Sequence, residues 1–214
     1  MYYGNSSVTS SQANPTGVWD SKYKGVWHFP NGTSLTVSDS TSNANSTTNN
    51  GVSATTGQID GAGKFVSASS QYISVSPISS LGGASKAVLS AWLKRNASGS
   101  KLEVGEDNYP TSRFNMQVWS GNIVYLAAEN ASFDYGTFTL SDSDTSWHKI
   151  DMVYDGTQPT NDTRLLGYLD GVKQTLSFAN TIPATLGTAG AFVIGYAPAS
   201  GPASTVSLWI YDGA

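Results

Sequence analysis

Cysteine is absent from the 214 residues, so the fold closes without disulfides, and thiol catalysis and cysteinyl zinc sites are excluded. Charge is scarce as well. Asp, Glu, Lys and Arg make up 12% of the chain, about half the ordinary share, with a net charge of −4. The 11 Lys and Arg lie singly or in pairs and form no stripe, which argues against a nucleic-acid partner. No apolar run approaches the length of a membrane span, so membrane insertion is not expected. Helical periodicity is nearly missing. What fills the chain is Gly, Ser, Thr and Asn, together with 6 Trp, 11 Tyr and 7 Phe. That many rings supply a core, which a disordered chain of low hydrophobicity lacks.

Short runs rich in Val, Ile, Tyr, Phe and Trp recur between Gly, Asn, Asp and Ser clusters, the pattern of an all-β chain. Strands are expected at 25–29, 64–66, 72–75, 87–93, 101–104, 113–119, 123–128, 137–140, 148–154, 164–169, 172–177, 191–194 and 204–211. In "HKIDMVY", His148, Ile150, Met152 and Tyr154 share one face, and Lys149, Asp151 and Val153 the other, as in a strand covered on one side. Asp170-Gly171 between "RLLGYL" and "VKQTL" suits a two-residue type I′ hairpin. One domain over 21–214 is expected, with 1–20 a lead-in from a preceding module. The chain is read as cut from a longer protein whose neighbouring modules are partners.

Taken in order, "GVWHF" with "SLTVSDSTSNANS", then "GQIDGAGKFVSASSQYISV", "LSAWLK", "SWHKIDMVYDG", "RLLGYLDGVKQTL", "FVIGY" and "VSLWIY" carry a resemblance over 19–211. They resemble the concanavalin A-like, laminin G-like (LamG) jelly-roll domains of bacterial and phage surface proteins. The resemblance implies a sandwich of two antiparallel sheets, one flat and one concave, used for carbohydrate or protein recognition, often with an edge calcium ion. It puts Trp27, Trp92 and Trp147 at core positions, their indole N–H groups finding a carbonyl. It also fits an extracellular or cell-surface setting, in line with the low charge and the Ser, Thr and Asn content.

Three kinds of chemistry are weighed. In "SDSTSNANS", Asp39, Asn43 and Asn45 offer oxygens of the type calcium takes, while Asx turns are the bland alternative. The acid that relatives carry before the last strand is missing from "STVSLWIY". Asn-x-Ser/Thr triplets at Asn5, Asn31, Asn45, Asn96, Asn130 and Asn161 matter only in a glycosylating host. For a glycan or polysaccharide, Glu106, Asp107, Asn108, Tyr109 and Arg113 are expected to rim one end of the concave sheet. Asn115, Gln117 and Trp119 alternate on one strand face, expected exposed, with Phe114, Met116 and Val118 buried behind, and Tyr125 and Tyr135 nearby. Catalysis has little support. Glu103, Glu106 and Glu129 are the only glutamates and lack alternate spacing on one strand, while Asp142 and Asp144 sit in a polar turn. The expected function is a non-catalytic recognition module. The alternatives are a structural or protein-interaction module of an adhesin, fibre or virion and, third, a glycoside hydrolase.

Overall fold

A computed structural model describes residues 7, 14–30, 33–66, 69, 71–95, 102–108, 110–119, 122–141 and 145–195, and the backbone of 205–211. In chain order the strands begin with β1 (Gly25–Trp27), β2 (Thr47–Asn50), β3 (Ser53–Thr56), β4 (Gly61–Lys64), β5 (Tyr72–Val75) and β6 (Lys86–Lys94). They continue with β7 (Leu102–Asn108), β8 (Ser112–Val118), β9 (Ile123–Ala128), β10 (Tyr135–Thr139) and β11 (Trp147–Asp155). β12 (Leu165–Leu169), β13 (Val172–Lys173), β14 (Ser177–Ala179), β15 (Ala191–Gly195) and β16 (Thr205–Tyr211) complete the set.

The strands form two antiparallel sheets of a jelly-roll sandwich. The first runs β13-β12-β11-β6-β16-β4-β3, with β1 also on β16; the second runs β14-β10-β9-β8-β7-β15-β5-β2. Period-two alternation decides which side chains meet between them. From β6, Ala87, Leu89, Ala91 and Leu93 turn inward, and from β11 Ile150, Met152 and Tyr154. They pack on Phe114, Met116, Val124, Leu126, Phe192 and Ile73 of the second sheet in one continuous core. The inward set of "HKIDMVY" is therefore the one its alternation predicts, except that His148 sits half-buried at the rim and bonds Asp170 through Nδ1 at 2.6 Å. The Asp170-Gly171 hairpin joins β12 to β13 with positive φ at both residues, 51° and 80°.

Four expectations are corrected. β2 and β3 were not expected, because "TTNN" and "SATT" carry almost nothing apolar. The expected strand 172–177 is two strands: β13 pairs with β12 in the first sheet and β14 with β10 in the second. The chain changes sheets between them, and Leu176 packs over Gly136 and Gly167, where a Cβ would approach it to 2.9 and 3.2 Å. Of the three core tryptophans, Trp27 is fully buried and stacks on Phe192 at 5.8 Å, but Trp92 and Trp147 are only half-buried. The Trp27 Nε1–H, finally, finds no hydrogen-bond partner among the described residues. Its ring lies over Gly25, where an added Cβ would come within 2.3 Å of the indole.

Candidate functional site

The second sheet carries the candidate site on its outer face. Register sets Glu103, Gly105 and Asp107 of β7 opposite Gln117, Asn115 and Arg113 of β8. On the other side of β8, Asn115 and Gln117 face Ala127 and Tyr125 of β9, and Ala127 in turn faces Tyr135 of β10. Parity therefore brings residues from four strands onto one surface.

That surface is not the solvated polar row the alternation suggests. Asn115 is 0% exposed, Gln117 5% and Glu103 1%, as buried as Phe114 and Met116 on the opposite side. A hydrogen-bond chain along the face makes that burial tolerable. Asn115 Nδ2 donates to Glu103 Oε1 at 2.8 Å, Gln117 Nε2 to Asn115 Oδ1 at 3.4 Å, and Trp119 Nε1 to Gln117 Oε1 at 2.6 Å. Each polar group is satisfied by its neighbour, so the row is buried without leaving a donor unpaired. The same chain fixes the indole of Trp119.

Arg113 is held from the other end. Its Nε and Nη2 donate to the Glu129 carboxylate at 2.7 and 2.6 Å, and its guanidinium lies 5.4 Å from the centre of the Phe133 ring. Burial works against the Arg113 charge, but the Glu129 bonds outweigh it and raise its pKa. Burial likewise pushes the Glu129 carboxyl up, opposed by Arg113. Neither partner can be lost cheaply from such a place.

Between these two fixtures lies a cavity of about 160 Å³ lined by Arg113, Gln117, Trp119, Tyr125, Ala127 and Tyr135. Three half-buried rings form its corner: Trp119 meets Tyr125 edge-on at 6.2 Å, and Tyr125 meets Tyr135 at 5.2 Å. Ala127 keeps the floor low. The volume is below the ~300–1,000 Å³ of drug-sized pockets, which suits one small ring rather than an oligomer.

Of the expected ligand-binding residues, Arg113, Gln117, Trp119 and Tyr125 line the cavity. Asn115 lies buried in the chain that props it, and Asp107 shares the face opposite Arg113. Asn108 has the opposite parity and packs against Gly190, so it is not part of this surface. Glu106 is also misplaced on the rim. It points inward beside Phe114 and Phe192, 2% exposed, and accepts a hydrogen bond from the Gly190 N–H. Burial pushes its pKa up to about 7. Tyr109, Asp142 and Asp144 lie outside the described residues. Glu103 and Glu129 were missed as supports. Glu129 continues the parity of Tyr125 and Ala127, which is the signal that could have found it.

The face offers no ready hydrolytic pair in Glu103 and Glu129. Two strands across and four residues along, at about 4.8 Å per strand and about 3.4 Å per residue, place their backbones about 17 Å apart. Two-carboxylate glycoside hydrolysis uses carboxyl groups about 5–9.5 Å apart. Glu129 is moreover engaged by Arg113 at both oxygens.

The loop after β1 is organised around Asp39. Oδ1 accepts from the backbone N–H of Val26 and Thr41 at 3.0 and 2.9 Å; Oδ2 accepts from Thr41 Oγ1, Asn45 N and Asn45 Nδ2 at 2.9, 3.0 and 2.7 Å. The Asn43 and Asn45 amides donate to the carbonyls of Tyr23 and Lys24. The oxygen types calcium favours do converge here. As arranged, however, both Asp39 oxygens are filled by N–H and O–H donors, and a cation would need both carboxamides turned over.

No protein-family model and no curated protein matches the chain. Solved structures share its fold. Domain 4 of a GH43 extracellular arabinanase from Geobacillus stearothermophilus, solved with arabinotriose, matches over 90% of this chain and 93% of its own, at TM-score 0.57 and 16% identity. The binding domain of botulinum neurotoxin serotype G matches at TM-score 0.64 and 12% identity, covering 89% of this chain and 47% of that one. That of Paraclostridial Mosquitocidal Protein 1 gives TM-score 0.59 and 14% identity, covering 84% and 47%. The chain spans about half the length of these two toxin domains. At such identities the likeness shows a shared fold, a jelly-roll-like sandwich also found in binding domains.

Proposed function

We propose that the chain is a non-catalytic, laminin G-like recognition module of an extracellular or cell-surface protein that binds a glycan at the aromatic corner of the second sheet. The observation that carries this is the small cavity where Trp119, Tyr125 and Tyr135 meet Arg113 and Gln117. An indole face takes the apolar side of a pyranose or furanose ring, and the guanidinium and carboxamide meet its hydroxyls. The hydrogen-bond chain through Gln117, Asn115 and Glu103 holds the indole before any ligand arrives, which lowers the ordering cost of binding. The likeness to a domain solved with arabinotriose supports the ligand class. A glycan array combined with affinity electrophoresis tests the reading: retention by at least one polysaccharide supports it, and folded protein that ignores all of them rejects it.

A protein-contact role is the second reading. Phe133 is 45% exposed beside the Arg113 guanidinium, and both residue types are enriched at protein interfaces. Stable binding to a neighbouring module of the parent protein, with no sugar response, would favour it. Calcium at Asp39, Asn43 and Asn45 is a separate proposal, resting on the converging oxygens around Asp39. Its test is thermal melting in calcium against chelator.

A further inference from the structure

The first sheet has a recess of its own, unrelated to the cavity at Trp119. β1 and β6 both pair with β16, Trp27 opposite Leu208 and Ala91 opposite the same residue. One position further along, His28 and Trp92 therefore lie on the outer face of the first sheet, away from the core. The segment 36–40 runs past them, and its residues alternate in where they turn. Val37 packs on the core and Asp39 enters the loop network, while Thr36, Ser38 and Ser40 turn the other way. The tip before β4 adds Asp60, held at φ 59°. Together with Pro30 and Ile59, which add apolar wall, these enclose about 360 Å³, within the range of ligand pockets.

The chemistry of the walls is selective. One side is the half-buried indole of Trp92 and the imidazole of His28, itself backed by Trp19 at 5.7 Å, which in turn meets Tyr23 at a tilt, 4.8 Å between centroids. The other side is a rail of three hydroxyls. Burial holds His28 below the usual imidazole range, against the pull of Asp60, so at neutral pH the ring carries no charge. Among the described residues, no Lys or Arg lines the recess. Hydroxyls that both donate and accept, a carboxylate acceptor and a flat ring suit a polyhydroxyl ligand without negative charge.

We infer that this recess is a second carbohydrate site, taking one ring of a neutral oligosaccharide on Trp92 with its hydroxyls paired to Ser38, Ser40, Asp60 and His28. It does not rest on the reading of the Trp119 corner. With both sites filled the module is bivalent, one site on each sheet. Two weak sites on one module hold a polymer far more tightly than either alone when the chain can reach both.

The test is an NMR titration of the whole chain with the neutral trisaccharides arabinotriose, cellotriose and maltotriose, and with tetramethylammonium as a cationic control. The expected result is that at least one trisaccharide shifts the Trp92 indole N–H and the amides of Ser38 and Asp60. Trp92→Ala should weaken that response at least tenfold, and Trp119→Ala should leave it intact. Ser38→Val, at an exposed position, gives a second variant should Trp92→Ala fail to fold, and should also weaken binding. Shifts confined to the Trp119 region, a response to tetramethylammonium alone, or no response to any trisaccharide would overturn the assignment.

Discussion

Glu106 offers the sharpest quantitative test of the sandwich. It projects between the sheets beside Phe114 and Phe192 and is 2% exposed, and its carboxylate takes the Gly190 N–H. Burial, the leading cause, raises its pKa from 4.5 to about 7, against the pull of the Gly190 bond. The folded chain thus holds this proton more tightly than the unfolded one. The stability it contributes is full below pH 4.5 and is lost as the pH rises through about 7. At about 1.4 kcal/mol for each tenfold change in proton affinity, the loss by pH 8 is about 3 kcal/mol. Glu106→Gln keeps an oxygen for Gly190 and removes the charge. Urea unfolding followed from pH 4 to pH 8 should show the wild type losing about 3 kcal/mol more than the variant over that range. The two should be nearly equal at pH 4. Parallel curves would refute the inward placement of Glu106, as would a variant that is less stable at pH 8.

Four other outcomes follow from the same geometry. Arg113→Ala leaves Glu129 buried without its partner, so the variant should lose about 3–5 kcal/mol at neutral pH in denaturant titration. The loss should shrink as acid protonates Glu129, whose folded pKa rises further without Arg113. Asp39→Ala strips the acceptor from the Val26, Thr41 and Asn45 N–H groups, and a cost of about 2–3 kcal/mol is expected from chemical unfolding. Gly25→Ala drives a methyl into the fully buried Trp27 ring and should lower stability by about 1–3 kcal/mol in the same assay. If calcium binds the Asp39 loop, melting at a hundredfold its dissociation constant should gain about 2.7 kcal/mol over chelator; coincident melts at millimolar calcium would remove the ion.

Alternation made most of the fold legible, because nearly every strand has one face in the core. "KAVLSAWLK" and "HKIDMVY" carry that face openly. β2 and β3 do not, since Thr, Ser and Asn contribute no apolar face to read. At 172–177 one polar stretch serves two sheets, and only the pairing partners reveal the crossing. The candidate site was half legible. Parity grouped Asn115, Gln117 and Trp119 on one face, yet the buried Asn115 is paired by Glu103, twelve residues away on the neighbouring strand. A local pattern holds no record of that contact. Glu106 and Asn108 were misplaced for a related reason: in "GEDN" every residue is polar or small, so nothing local says which parity faces the core. Gly105, at φ 137°, falls in the same stretch.

The central claim is that the aromatic corner of the second sheet receives a sugar ring. The most direct measurement is isothermal calorimetry of wild type, Trp119→Ala and Tyr125→Ala against a polysaccharide that retains the wild type on the array. Both variants should fold as the wild type does by circular dichroism and lose at least tenfold in affinity. Undiminished binding in both variants would contradict the account.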